Sequence, residues 1–513
     1  MPVSTLATVT VKAPGYRGVN TQDSPVTLSP DFALEAVNAV VDNSGRVAPR
    51  LGWERLEDGT NVDLGSSSIT CIHEYVDVDG TTEILCVGNK SIYKLVGGAL
   101  TTLYTDAGWT GDDWKAVNFN GYVFFFQRGH DPLRYDGSTV ALVSATAGYA
   151  GSVPLAHEVL SAYGRLWVAD TSSDKVTITW SDTLLGNKWS GGAAGSVSIS
   201  SVLTKGVRPI KALAAFNGYL VIFCDKAIIV YQGAASDPST NLALVEVIDG
   251  VGAVGRDAIQ TIGNDIFYVS DTGVRSLGRL ITEKSPPIWD ISKNVRDDLN
   301  EVIRDNLYGD DVKTAYSDFH GLFLVTFRNV SEQPTYAFDT KNPLEDNSRK
   351  ATTWTLQPTS MAVDSNRRLL FGFAGGKMGA YAGHSDDGDT YRFVYSSSWL
   401  DAGDASRYKI LKNMSAILIG SGGADVLFKW FVDFDKRSSS RVIELDSSSF
   451  SEYSIAEYSI GEYSGDRDAA WKVKLPLSKY GRVFRIVIEF NVVGPLSIQQ
   501  LDVFVKPGRT SLQ

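Results

Sequence analysis

Apolar residues in this chain gather in short runs, and Gly, Asn, Asp or Ser stands at nearly every break. Seven runs carry the pattern: "GTTEILCV" (80–87), "NGYVFFF" (120–126), "YGRLWVA" (163–169), "NGYLVIF" (217–223), "NDIFYV" (264–269), "HGLFLVTF" (320–327) and "NRRLLFGF" (366–373). They are strand-length and rich in β-branched and aromatic residues. Most are followed, after another turn, by a more polar run such as "KSIYKLVGG" (90–98), "KAIIVYQGA" (226–234) or "KMGAYAG" (377–383). Each unit reads as a buried strand hairpinned to a half-exposed one. Units of about 40–50 residues repeated radially make a β-propeller. Six or seven blades fit between Thr60 and Gly383. A stack of β-sandwiches is the competing arrangement.

One segment breaks the period. "DISKNVRDDLNEVIRDNL" (290–307) sets Ile291, Val295, Leu299, Ile303 and Leu307 four apart, which predicts one amphipathic helix with Asp290 as N-cap. A second short helix is expected at "PDFALEAVNAVV" (30–41). Beyond about Thr390 the runs lengthen, as in "YKILKNMSAILIG", "ADVLFKWFVDF", "AAWKVKLPLSKYG" and "VFRIVIEFNVVG". These predict an antiparallel β-sandwich-type domain. The expected organisation is mainly β. It comprises an N-terminal arm or platform segment (1–59), a β-propeller body (60–390) with the helix inserted near 290–308, and a C-terminal β domain (391–513).

Composition agrees with a globular, turn-rich β protein: 43% hydrophobic, 21% charged and 48 glycines in 513 residues. Cys71, Cys86 and Cys224 form no C-x-x-C pair and are too few for a disulfide framework, so they read as small buried hydrophobes made in a reducing compartment. The start, "MPVSTLATVTVKAPG", has no signal-peptide pattern, and no apolar run reaches the roughly 18 residues of a membrane helix. The net charge of −11 and the lack of a Lys/Arg-rich stretch argue against a protein that grips nucleic acid. From charge alone, ordinary solubility is the plainer reading of the acidic balance; an acidic surface could also let DNA slide past without sticking.

Chemistry-bearing motifs are weak. "GVGAVG" (250–255) matches G-x-G-x-x-G, but "RDAIQTI" and a turn leave no room for the helix that a dinucleotide's phosphates need, so it reads as a turn between blades. His73, His130, His157, His320 and His384 have no metal-ligand spacing. "DVDG" (77–80) and "DDGD" (386–389) lack the full ligand run of a calcium loop and read as tight turns. "SDTLLGNKW" (181–189) shares Gly186 and Trp189 with the S-x-D-x-G-x-T-W box of sialidase-like propellers, but Leu184 stands where its Asp should be. No catalytic residues, metal ligands or cofactor are expected.

Two N-terminal phrases, "GYRGVNTQDSPVTL" (15–28) and "NAVVDNSGRVAPRLGW" (38–53), resemble the opening of tail tube (nozzle) proteins of short-tailed bacteriophages. "ITWSDTLLGNKWS" (178–190), "VGAVGRDAIQTIGNDIFYVSDTGVRSL" (251–277) and "IWDISKNV" (288–295) are similar to later segments of that family, in the same order. After about Thr390 the likeness is one of architecture. The resemblance implies a non-enzymatic virion protein, assembled in the host cytoplasm. It would form a homo-oligomeric ring, usually a hexamer, below the head-to-tail adaptor, docking tail fibres or spikes and conducting double-stranded DNA during ejection. The alternative is a propeller-type tail scaffold or a lectin-like receptor binder.

One motif stays apart. "SEYSIAEYSIGEYSGD" (451–466) repeats every five residues, a period of neither helix nor strand. Glu452, Glu457 and Glu462 align, as do Tyr453, Tyr458 and Tyr463. These six are the candidate channel or tip loop. A solvated surface loop is the plain alternative.

Overall fold

The computed structural model describes residues 7–57, 64–65, 67–203, 205–206, 208–263, 265–278, 290–305, 311–328, 333–445 and 469–507. Seven sheets follow one another along the chain, at 71–105, 115–142, 156–198, 210–249, 259–276, 312–354 and 360–381. They are blades one to seven. Among the described residues blade five has three strands and the rest have four. The first strand of each blade lies innermost, and Ser360–Val363 of blade seven packs beside Cys71–Val76 of blade one, closing the ring. The protein is therefore a seven-bladed β-propeller with an added β-sandwich.

The runs picked out by pattern are the second strands of the blades. Three of them start from two-residue turns: Asn120–Gly121, Tyr163–Gly164 and Asn217–Gly218. All six residues have positive φ, from 47° to 83°. That is the type I′ geometry whose twist matches the flanking strands. Second strands are buried on both faces because each blade is sandwiched between two others. Seven apolar clusters fill the seven gaps between blades. Trp114, Phe125 and Tyr135 lie in the gap between blades one and two, and Trp167, Trp180 and Ile222 in that between three and four.

The ring is closed by the other end of the chain. Trp53–Arg55 pairs antiparallel with Met378–Tyr381 and supplies the outer strand of blade seven. Gly379 lets this happen, because a Cβ there would strike the Trp53 ring and the Glu54 carbonyl.

The sandwich is built from both chain ends. One of its sheets continues blade six: Ala33–Val37 runs parallel to Ala351–Trp354, then come Arg392–Ser397, Phe484–Asn491, Asp425–Val432 and Ser439–Glu444. The other sheet orders Ala39–Val41, Val47–Pro49, Leu496–Pro507, Lys409–Gly420 and Ala469–Gly481, with Ala7–Lys12 also paired to Leu496–Pro507. Strands of the segment 1–59 thus lie in the sandwich and in the last blade.

Two expectations about helices change. Residues 30–41 form strands, not a helix. Ala33, Ala36 and Ala39 are fully buried between sheets, and Asn38 at φ 53° turns the chain from one sheet to the other. The predicted helix exists over Arg296–Asp305, one turn later than expected. Asp290 does not cap it. Its carboxylate takes the Ser292 amide (2.9 Å) and hydroxyl (2.6 Å) and pairs with Arg296 (2.7 Å), fixing the 3-10 turn that leads in. Ile291, Val295, Leu299 and Ile303 are buried as the spacing demands.

Candidate functional site: the propeller bore

Ligands of ring-shaped folds commonly enter the central bore, so its lining decides what the propeller can do. The first strands carry more polar residues than the second strands, since one face of each looks along the axis. At the end where these strands begin, four blades contribute charged groups to one cluster, and a fifth adds a backbone amide. Arg256, only 2% exposed, donates to Asp257 (2.7 Å), to the Asp113 carboxylate (3.3 Å) and to the Asp113 carbonyl (2.9 Å). Lys313 bridges the same two carboxylates at 3.0 and 2.5 Å. Arg328 reaches Asp113 (3.2 Å) and Asp311 (3.4 Å). Lys115 grips both oxygens of Glu158, whose side chain is fully buried and also accepts from the Leu213 amide at 3.0 Å.

Four cations face four carboxylates here, so the cluster is neutral. Burial works against ionising Asp113, but Arg256, Lys313 and Arg328 outweigh it and hold the carboxyl well below its ordinary range. Asp257 is depressed in the same way by Arg256 and Lys313. Glu158 goes the other way: burial raises it, and Lys115 only partly opposes this. Burial pushes the Cys71 thiol up to about 12, so this thiol is not a nucleophile. Deeper in the bore, burial lowers His73 to about 4, a shift partly offset by its bond to Asn118. Every charge in the cluster is spent on another. The arrangement knits blades two to six together.

The other motifs resolve as structure. In "GVGAVG", Ala253 donates to the Cys224 carbonyl at 2.9 Å, and the chain passes from blade four to blade five without a helix. In "DDGD", Asp386 binds the buried Arg50 through both oxygens (2.8 and 2.6 Å), and Asp387 takes Arg55 and Lys377. In "DVDG", Asp77 and Asp79 accept the amides of Val78 and Thr81. The "SDTLLGNKW" loop joins the last two strands of blade three. Asp182 gathers the Thr183 and Ala193 amides and Lys188, and Trp189 packs against Phe126 of blade two. Among the described residues no group of three or more His, Cys, Asp or Glu could hold a metal. Among the described residues no helix is long and apolar enough to cross a membrane. The candidate loop residues Glu452, Tyr453, Glu457, Tyr458, Glu462 and Tyr463 lie outside the described residues.

Sequence pattern missed the bore cluster because its members are far apart in the chain. Asp113 and Lys313 are 3.0 Å apart in space across 200 residues of sequence. The only local signal was the adjacent pair Arg256–Asp257.

No protein-family model matches the chain, and no curated protein matches it. Solved propeller structures overlap it. YCF48 bound to D1 peptide is 9% identical, covering 65% of this chain and 97% of that chain with a TM-score of 0.37. YCF48 from Cyanidioschyzon merolae is 11% identical, with 64% and 98% covered and a TM-score of 0.37. The WD40 propeller domain of Doa1 is 10% identical, with 65% and 97% covered and a TM-score of 0.37. The seven-sheet ring stands on the chain's own hydrogen-bond ladders.

Proposed function

We propose that the chain is a structural, non-catalytic subunit of a phage tail tube or nozzle, which assembles as a ring below the head-to-tail adaptor and conducts DNA between its copies. The observation that carries this reading is where the resemblance-bearing phrases fall: they make the joints of the molecule. In "GYRGVN", Gly15 sits against Tyr395, and Gly18 against the Ala351 backbone. Val19 donates to the Ala351 carbonyl at 2.8 Å, so this phrase welds blade six to the sandwich. In "RLGW", Arg50 ties to Asp386 and Trp53 opens the strand that closes the propeller. A chain spending these phrases on rigid joints and its bore charges on each other is built as a scaffold. Since paired charges occupy one end of the bore, DNA would pass beside the propellers, along an axis that only several copies define.

Electron microscopy of the purified chain, alone and mixed with adaptor rings, tests the proposal. Cyclic particles with a central hole wide enough for duplex DNA are expected. Monomers under both conditions would overturn it.

A further inference from the structure

No stretch of the sequence is rich in Lys or Arg, yet the sandwich gathers lysines from four strands onto the outer face of its second sheet. The register fixes the placement. Lys12 lies opposite Gln500, and Gln500 opposite Ile417, which faces Lys472. Asp502 lies opposite Ser415, which faces Lys474. Lys506 lies opposite Ile410, which faces Tyr480. Paired residues share a face. Alternate residues along Ala469–Gly481 confirm the orientation: Lys472, Lys474 and Tyr480 are exposed while Val473, Leu475 and Leu477 are buried. Lys412 is exposed at the bulge between these rows. The carboxylate in these rows, Asp502, is buried and bound by Gln500 at 3.0 Å.

Lys12, Lys412, Lys472, Lys474 and Lys506 make no ion pair among the described residues, whereas Lys94, Lys115, Lys175, Lys188, Lys313 and Lys377 of the propeller all do. One end of this face is apolar. Tyr480 is 75% exposed and Ile410 39%. Tyr408 stands 6.5 Å from Tyr480, with Arg482 over its ring at 4.8 Å. Buried Lys409 holds that end together by donating to the Arg407 and Arg482 carbonyls at 3.3 and 2.9 Å. An exposed Tyr–Arg anchor, rimmed by lysines that pair with no described residue, fits the aromatic centre and polar rim of a protein interface.

We infer that this face docks the acidic propeller of a second copy of the same chain. The charge needed is in the chain itself. Residues 391–513 hold 16 Lys and Arg against 14 Asp and Glu, while residues 1–390 hold 32 against 45. A basic patch meeting an acidic one elsewhere on an identical chain is a head-to-tail contact, and such contacts close into rings where the rotation between copies closes. The phosphate backbone of duplex DNA would also match the lysines, but it has no use for the Tyr408–Ile410–Tyr480 anchor. The inference rests on the ring reading and supplies one side of its interface.

The test compares wild type with Lys472→Glu/Lys474→Glu and Tyr480→Ser by sedimentation and microscopy, at 50 mM and 500 mM salt, with thermal melts as the folding control. Wild type should associate at low salt and weaken at high salt, because screening shortens the reach of exposed charges. Both variants should melt like wild type and associate at least tenfold more weakly. Rings that form equally well in the variants would overturn the docking face and leave the ring reading standing. A wild type that stays monomeric, alone and with adaptor rings, would overturn both. Labelled duplex DNA is the third arm. If the double-lysine variant lost DNA binding and kept self-association, the face would belong to nucleic acid and the inference would fall.

Discussion

Arg256 is the residue on which the bore depends most. It is buried, and two carboxylates and two backbone carbonyls converge on it. Arg256→Met would keep the volume and leave the buried Asp113 and Asp257 one cation short. Breaking a buried pair from one side costs about 3–5 kcal/mol. We expect a loss of that size in urea unfolding, and a loss under 1 kcal/mol would mean the cluster is dispensable. His73 gives a pH signature. Its folded pKa lies below the unfolded value of 6.5, so its contribution is full above pH 6.5 and fades as pH falls toward about 4. A shift of this size is worth about 3 kcal/mol at full extent. Asp113 and Asp257, held down by their cations, stay charged across that window. His73→Leu should flatten the fall in stability between pH 7 and pH 4.5, read as urea midpoints. An unchanged slope would assign the fall to other groups.

Among the elements, the closing strand Trp53–Arg55 is the one whose loss opens the ring. Gly379→Ala puts a methyl group against the Trp53 ring where the strands have no slack. Overpacking of this kind costs about 1–3 kcal/mol. A melting temperature equal to wild type would show that this edge can shift. The same scale shows what pattern reading caught. It found the second and third strands of nearly every blade, since these are the most apolar and the best marked by turns. It passed over first strands such as Lys115–Phe119 and Val312–Ser317, whose bore-facing polar residues blur the alternation. It placed a helix at 30–41 because alanines and a Leu–Val spacing suit a helix. The strands there form because tertiary pairing with Arg392–Ser397 outweighs local propensity.

For the whole molecule, the decisive feature is that the ends of the chain hold the middle. Residues 7–55 add strands to both sandwich sheets and to blade seven. Deleting residues 1–57 should therefore unfold more than an arm. It should remove the cooperative unfolding transition and drive the protein to aggregate in gel filtration. A monodisperse deletion melting like wild type would show the segment to be an appendage. The charge division belongs to this scale too. A net charge of −11 says little about a surface when the propeller is acidic and one sandwich sheet is lined with lysines that pair with no described residue.

The sequence by itself determined the class of fold, the hairpin unit and its repeat, the break in texture near residue 390 and the apolar stripe of the helix at Arg296–Asp305. Each of these depends on neighbours within a few residues, where turn chemistry and side-chain periodicity act. Only the tertiary structure decided the number of blades, the strand that closes them, the neutral cluster in the bore and the lysine face of the sandwich. Those features join residues hundreds of positions apart, such as Arg50 with Asp386 and Lys12 with Gln500. Such contacts form through sheet register and ring closure, and a linear pattern carries no record of either.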